Sequence, residues 1–537
     1  MSTPLENLSN LVDELESKRS NWMNLWQDLA DHILPSTNRF TLKESPGLQR
    51  HQYIYDSHPE HAVHLWASSL HSMVFGNAMK WFGLTVSNKE VASRGRVIHA
   101  LQERTDIMLD VLSQSNFYGQ AYEMLPGLIV FGTSCMSCLE DEETAVRFKN
   151  THLAEVIIRP NARGDVDTVF RKFNMTLRNL YSQFPGYDFD DMKREYGTAG
   201  ETSIEICHAV FPSDDYGMNY WDSNMPYTSL YFTSNGKHLL SVGGFEDFPY
   251  FVTRWFVGPG EDYGRSPGMQ ALPDIKTLYA MSRTSLATAQ KMADPPLAVS
   301  EGYTSAPLKM GPGDINYTRP AMGNITQFAP TGDLSYAHSE ISDRRAQIRS
   351  IFFNDQLQLL NKTMMTATEV VQRVEETRRI LSPINERLES DFLRRVVMRV
   401  YNVLDRKGYF PDAPVEFEEF GVDVEFLSPL ARAQRMNDLN SVTRLFEVLA
   451  PFAQVNPQIL QGVSGEDLLQ YASKVLGVPR EVLKSKYEVQ EEKEAAARLM
   501  QMQLESQQAQ SFTESLETVA GAQEKSAKAQ TLVEGIS

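Results

Sequence analysis

A chain of 537 residues with 42% hydrophobic and 22% charged residues is built to fold, over three or four domains at roughly 150 residues each, and is excluded from the disordered class. Its formal net charge of −18, without any long Lys/Arg run, excludes a protein that grips nucleic acid, because that affinity comes from neutralised phosphates. Three cysteines, Cys135, Cys138 and Cys207, exclude a disulfide scaffold, and the most apolar stretch, residues 125–130, falls far short of the about 20 residues that cross a bilayer. The first ten residues lack a signal-peptide core, so a soluble protein made in a reducing cytoplasm is expected.

In chain order, Trp22, Leu25, Trp26, Leu29 and Ile33 recur at helical spacing and predict a helix over 7–34, stopped by Pro35. Ala62, Leu65, Trp66, Leu70 and Met73 predict a second over 59–76, and Trp81, Phe82 and Leu84 a short strand. Helices follow over 90–113 and 118–128. From 131 to 256 the period changes to two. The turns Asn161-Ala162-Arg163-Gly164 and Ser234-Asn235-Gly236-Lys237 predict hairpins, with one helix over 177–184 between them.

The second half is helix-rich. Residues 274–292 are predicted helical, ended by Asp294-Pro295-Pro296. Residues 301–333, dense in Gly and Pro, are predicted to form a protruding β/loop excursion. A helix over 339–353, a polar stretch over 354–366 and a long helix over 368–406 come next, with a kink at Ser382-Pro383. Short helices over 440–486 and a Gln/Glu/Ala-rich helix over 488–509 complete the chain.

Few motifs offer chemistry. Gly264-Arg265-Ser266-Pro267-Gly268 matches G-x-S-x-G, the nucleophile elbow of hydrolases. That mechanism needs a backbone N–H donor after the serine, and Pro267 has none. Ser266 as a helix cap with Pro267 at the first helical position is the better reading. Cys135-x-x-Cys138 is half a zinc or redox motif without a second half, and is read as buried packing. His51, His58, His61, His64 and His71 crowd together, which suits a metal or pH switch, or simply a polar interface. Asp188, Asp190 and Asp191 are read as a solvent-facing acidic loop. No cofactor or metal is implied.

Ordered segments together carry one resemblance. They are Tyr55-Asp56, Ala67-Ser68-Ser69-Leu70, Trp81-Phe82-x-Leu84, Asp165-Val166-Asp167-Thr168-Val169-Phe170-Arg171, Tyr263-Gly264-Arg265-Ser266-Pro267, Asp294-Pro295-Pro296 and Met365-Thr366-Ala367-Thr368-Glu369-Val370, ahead of the Gln/Ala-rich C-terminal helix. In this order the chain resembles the podovirus head-to-tail connector (portal) proteins. The resemblance implies an α+β, mainly helical portal fold: an α/β wing (1–265), a first stem helix (266–294), a small β-containing clip (295–335), a second stem helix (336–353) and a channel loop (354–366). A long wing helix with a following strand (367–427), a helical crown (428–486) and a C-terminal barrel helix and tail (487–537) complete it.

It also implies a homo-oligomeric ring of about a dozen subunits at the portal vertex of a virion, assembled in the host cytoplasm. Double-stranded DNA would pass through the ring during packaging and ejection. The partners would be a terminase packaging motor, tail adaptor proteins, and major capsid and scaffolding proteins, with no membrane. Asn354, Gln356, Gln358, Asn361, Lys362 and Thr363 are the expected channel-loop residues, with Lys362 nearest the DNA backbone. Lys276 is a basic stem residue, and Arg344, Arg345 and Arg349 are expected to pair with acidic groups of a neighbouring subunit. An acidic conduit would let a polyanion slide without trapping it. Two alternatives remain: a serine hydrolase, resting on residues 264–268 alone, and another elongated virion protein such as an internal ejection or tail component.

Overall fold

The computed structural model describes residues 3–37, 39–41, 53–75, 80–88, 95–197, 199–215, 225–300, 309–318, 325–327, 334–355, 381–412, 417 and 421–426. The chain divides into two compact units, Met1–Ser428 and Pro429–Ser537. Every described residue belongs to the first, so the expected crown and barrel helix lie outside the described residues.

Helix α1 runs Pro4–His32. It starts before the apolar periodicity does because Thr3 and Glu6 form a capping box: Thr3 Oγ1 accepts from Glu6 N at 3.2 Å and the Glu6 carboxylate accepts from Thr3 N at 2.8 Å. Helix α2, His58–Phe75, is started by Asp56, whose carboxylate accepts from His58 N at 3.0 Å. Strand β1 (Phe82–Val86) and helices α3 (Gly95–Gln114) and α4 (Phe117–Phe131) follow. Gly132, at φ +76°, ends α4 in the left-handed conformation.

Two antiparallel sheets come next. Strand β2 (Thr133–Glu140) is the centre of a three-stranded sheet, flanked by β3 (Val146–Thr151) and, from much later in the chain, β9 (Tyr250–Arg254). The strands β4 (Val156–Pro160), β5 (Val166–Thr176), β6 (Ser203–Pro212), β7 (Tyr227–Thr233) and β8 (Leu239–Phe245) form a five-stranded meander in sequence order. Helices α5 (Leu177–Gln183) and α6 (Asp190–Tyr196) bury Leu180, Phe184, Phe189 and Met192 against Ile204, Ile206 and Leu240. The acidic run expected to be a loop therefore starts a helix: Asp188 accepts from Asp190 N, and Asp190 and Asp191 pair with Lys193 and Arg194 one turn on.

The short ribbon β10 (Phe256–Val257) and β11 (Gly264–Arg265) leads into helix α7, Pro267–Ala293. Helix α8, Leu334–Ile351, returns and packs against α7. Between them lie β12 (Leu297–Ser300), β13 (Ile315–Thr318) and β14 (Ile325–Gln327), in the order β13-β12-β14, with β12 and β13 parallel. A helix from Leu381 passes through a π turn at Glu389–Leu393 into α9, Arg394–Arg406. Strand β15, Val422–Phe426, then pairs antiparallel with β1.

A main core joins α1–α4, α7–α9, β1–β5 and β9, while a second cluster packs Leu8 and Val12 of α1 against Ile157, Phe170, Phe211 and Phe232 of the five-stranded sheet. Trp26, Trp66, Phe75, Phe117, Phe148, Phe251 and Phe392 are fully buried in the main core, with Val396, Val397, Val400, Val403 and Leu404 of α9 closing one side. Each such burial contributes about 1.5–3 kcal/mol. Buried cations pin the remote pieces. Arg104 of α3 bonds Tyr401 Oη at 2.5 Å and Asp405 at 3.1 Å and lies over the rings of Phe410 and Phe417. Arg19 of α1 donates to the carbonyls of Leu153, Ala154 and Val156.

Candidate functional site

The place where α7 leaves the body is built from the segment that mimics a hydrolase elbow. Gly264 lies against Gly132 so closely that a Cβ on either would meet the other's carbonyl oxygen, at 2.1 Å from Gly264 and 2.3 Å from Gly132. Gly264 N donates to Thr133 Oγ1 at 2.8 Å. Ser266 caps α7: its Oγ accepts from Met269 N at 3.0 Å and donates to Val130 O at 2.6 Å. Pro267 takes the first helical position. A Cβ on Gly268 would stand 2.8 Å from Val130 O. Ser266 is 7% exposed and both its hydrogen-bonding roles are taken. The segment is a weld between the α4–β2 corner and α7, and the hydrolase reading has no nucleophile left to use.

Beyond the weld, the α7–α8 pair is tied down at one end. Lys276 meets Asp28 of α1 at 2.5 Å, and Tyr279 Oη donates to His32 O at 2.6 Å. Burial pushes the Tyr279 hydroxyl above the ordinary tyrosine range. Arg344 pairs with Asp274 at 2.8 Å, Arg345 with Asp56 at 2.9 Å, and Arg349 approaches Asp355 at 3.5 Å without a hydrogen bond from its Nε. Arg344, Arg345 and Arg349, expected to face acidic groups of a neighbouring subunit, each meet a carboxylate of their own chain within the single subunit: Asp274, Asp56 and Asp355 stand beside α8. Arg283 lies over the Tyr55 ring at 5.6 Å.

The other half of the pair is bare. From Ala280 to Ala293 no residue of α7 is fully buried; Leu286 is 54% exposed, and Tyr336 of α8 is 71% exposed. The two helices hold six basic residues against three acidic ones. This pair is therefore net basic in a chain of charge −18, and the excess of carboxylates lies elsewhere in the chain.

Asn354 also departs from expectation. Expected on a channel loop, it is 1% exposed, and its Nδ2 donates to Ala62 O at 3.1 Å, while Phe353 before it adopts φ +58° against Trp66. The left-handed turn after α8 folds Asn354 inward onto α2. Gln356, Gln358, Asn361, Lys362 and Thr363 lie outside the described residues.

The remaining motifs take structural places. Cys135 and Cys138 are buried in central strand β2, and burial pushes both thiols up to about 12, so they are inert at neutral pH. Cys207 is buried in β6 and its thiol is pushed up likewise. Among the described residues no group of three or more His, Cys, Asp or Glu is placed to hold a metal. His58 and His71 of α2 are half-buried, and burial lowers both below the usual imidazole value. Among the described residues no helix is long and apolar enough to cross a membrane.

Sequence reasoning missed one buried polar knot. His208 of β6 touches Tyr250 Oη through Nδ1 at 2.7 Å and Ser229 Oγ through Nε2 at 3.0 Å, and stacks on Tyr231 at 4.0 Å. Burial holds its imidazole at about 3, hence neutral. The knot joins the five-stranded sheet to β9. Its members lie far apart in sequence and match no motif, so only the alternation of β6 hinted at an inward His208.

A family model described as "Bacteriophage head to tail connecting protein" matches residues 5–483. The portal protein of Salmonella phage epsilon15 is 28% identical over 517 residues, covering 93% of this chain and 92% of its own. The probable portal protein of Bordetella phage BPP-1 is 28% identical over 482 residues, covering 88% and 87%. Among solved structures, a chain from the neck of an empty gene transfer agent particle aligns over 75% of this chain and 90% of its own, at 13% identity and a TM-score of 0.35. A chain from the virion of a native gene transfer agent particle aligns over 80% and 92%, at 12% identity and a TM-score of 0.36.

Proposed function

Because this chain belongs to the bacteriophage head to tail connecting proteins, a portal protein of the virion's capsid vertex, we propose that it works as one subunit of a closed ring through which double-stranded DNA is packaged and ejected. It acts as a structural conduit and carries out no chemistry of its own. The observation that carries this reading is the α7–α8 pair: two helices welded to a packed body at one end, bare at the other, and joined through a small sheet. Such a pair cannot bury its outer half alone, and copies set side by side around an axis would cover it.

In this reading the body up to Arg265 is the wing, α7 and α8 are the stem, and β12–β14 form the clip where a terminase motor and then tail adaptors dock. The residues after Asn354, up to 366, are the channel loop, 428–486 the crown and 487–537 the barrel helix and tail. The net basic stem is compatible with sliding DNA because four of its six cations already face carboxylates. A paired cation adds little counterion-release affinity. Lys362 is the loop residue assigned to brush the DNA backbone.

Native mass spectrometry tests the assembly: closed rings of about a dozen chains are expected, and a stable monomer under every condition would overturn the reading. Lys362→Glu is expected to impair DNA packaging or retention while rings still form; a normal packaged genome length in that variant would refute the assignment.

A further inference from the structure

The helix from Leu381 to Arg406 is continuous, yet Glu389–Leu393 is wound as a π turn, in which Arg394 N donates to Glu389 O five residues back. A π turn holds one residue more than an α turn and persists as an isolated turn mainly at working sites. No proline or glycine in the turn accounts for it.

The surroundings are short of hydrogen bonds on both sides. On β9, Thr253 Oγ1 and Arg254 Nε are buried donors without hydrogen-bond partners; on the helix, Asn385 Oδ1 is a buried acceptor without one, and Asp391 Oδ2 meets only Arg387 Nε, at 3.6 Å. Arg254 is 6% exposed, and its other nitrogens reach only the carbonyls of Asp262 and Gly164. A gap of about 10 Å³ lies between strand and helix, lined by Thr253, Arg254, Trp255, Ile384, Arg387 and Leu388. Unpaired buried polar groups are costly, and the donors on β9 could be satisfied by acceptors brought to them from the helix.

The register explains the mismatch. With α9 fixed, the surplus residue in the π turn sets the stripe Leu381, Ile384, Leu388 toward β9 and the core. Were the surplus to leave the turn, residues 381–388 would rotate by about 100° and move about 1.5 Å along the axis. Each residue would then be replaced by the one after it. Ser382, Asn385 and Glu389 would stand where Leu381, Ile384 and Leu388 stand now, setting an amide and a carboxylate beside Thr253 and Arg254.

We propose that the π turn at Glu389–Leu393 is a register switch between an apolar-in state, seen here, and a polar-in state in which Asn385 and Glu389 pair with Thr253 and Arg254. The polar-in state turns Leu381, Ile384 and Leu388 outward and needs them covered, which a neighbouring copy in the ring would do. The switch is thus tied to assembly, and to that extent rests on the portal reading.

The test is a distance between spin labels on Glu386→Cys, on the rotating segment, and Arg194→Cys, on α6. The native cysteines are buried and stay unlabelled. Labelled chain is diluted with unlabelled chain so that only distances within one subunit are read. The free chain should show one main distance and a minor second one, and the ring should favour the second. The change should reach up to about 9 Å, the chord of a 100° turn at the about 5–6 Å radius of a helix with its side chains. The same single distance in both forms overturns the proposal. Deleting Ser390 removes the surplus residue and should hold the first distance even in the ring; if the second still appears there, the motion is not a register shift. Should that chain fail to fold, Asn385→Leu with Glu389→Leu removes the polar stripe and should lower the second population about tenfold or more; an unchanged population overturns the proposal. If no ring forms, the portal reading fails, while the switch still stands or falls on whether deleting Ser390 abolishes the minor distance of the free chain.

Discussion

Gly264→Ala tests the weld that carries α7. An ordinary Cβ would stand 2.1 Å from Gly132 O and 3.1 Å from Trp255 N, so the strand must back away from Gly132 by about 1 Å to restore van der Waals distance. Both sides are fixed. Gly132 O accepts from Trp255 N at 2.9 Å, and Gly264 N donates to Thr133 Oγ1 at 2.8 Å. Separating them loses about 1 kcal/mol for each of these two bonds and adds about 1–3 kcal/mol of overpacking strain, so the loss should be about 3–5 kcal/mol. Gly119→Ala is the control. It lies in α4 with nothing within 4 Å of its would-be Cβ, and should stabilise by up to about 1 kcal/mol through helix propensity. Urea midpoints, read through the aromatic core, measure both. A Gly264→Ala chain within about 0.5 kcal/mol of the parent would refute the close-packed weld.

Other consequences are smaller or simpler to read. Ser266→Ala should cost about 1–2 kcal/mol through the lost cap, seen as a lower thermal midpoint, with no esterase activity in either chain; an activity that disappears with the serine would restore the hydrolase reading. The imidazole of His208 is held at about 3, below its unfolded value of about 6.5. Its contribution is therefore fully present above pH 6.5 and is lost as pH falls toward 3, at up to about 1.4 kcal/mol per pH unit. His208→Gln should flatten the midpoint-against-pH curve in that window, and parallel curves would contradict this. The buried thiols should not react with a maleimide until the protein unfolds, as mass spectrometry would show; labelling of the native chain at Cys135 or Cys138 would contradict their burial. Arg344→Ala breaks a partly exposed pair and should cost no more than about 1 kcal/mol, leaving ring formation intact; a chain that no longer assembles would give Arg344 a partner beyond Asp274.

Local rules made much of the fold legible. Period-3.6 stripes marked α1 and α2, and the cap logic of Ser266-Pro267 set the start of α7 correctly where periodicity began it seven residues late. What escaped depended on distant partners. Strand β2 is recognisable only once β9, over a hundred residues on, pairs with it. The capping box at Thr3 and the helix start at Asp188 are side-chain devices that an apolar pattern does not register. Arg344, Arg345 and Arg349 stood out as basic residues, yet their partners Asp274, Asp56 and Asp355 come from three separate places in the chain, and nothing near α8 in sequence announced two of them. Asn354 read as polar and hence exposed; the left-handed turn at Phe353 that carries it inward leaves no composition signal. The π turn likewise has no signature in Glu389-Ser390-Asp391-Phe392-Leu393.

Averaged electron-microscope images of the purified chain decide whether it forms a ring with a channel for DNA. Closed rings of about a dozen copies are expected, with an open bore wide enough to pass a DNA duplex and with the α7–α8 pairs packed side by side in its wall. Particles of single chains, or assemblies without a central channel, would contradict this.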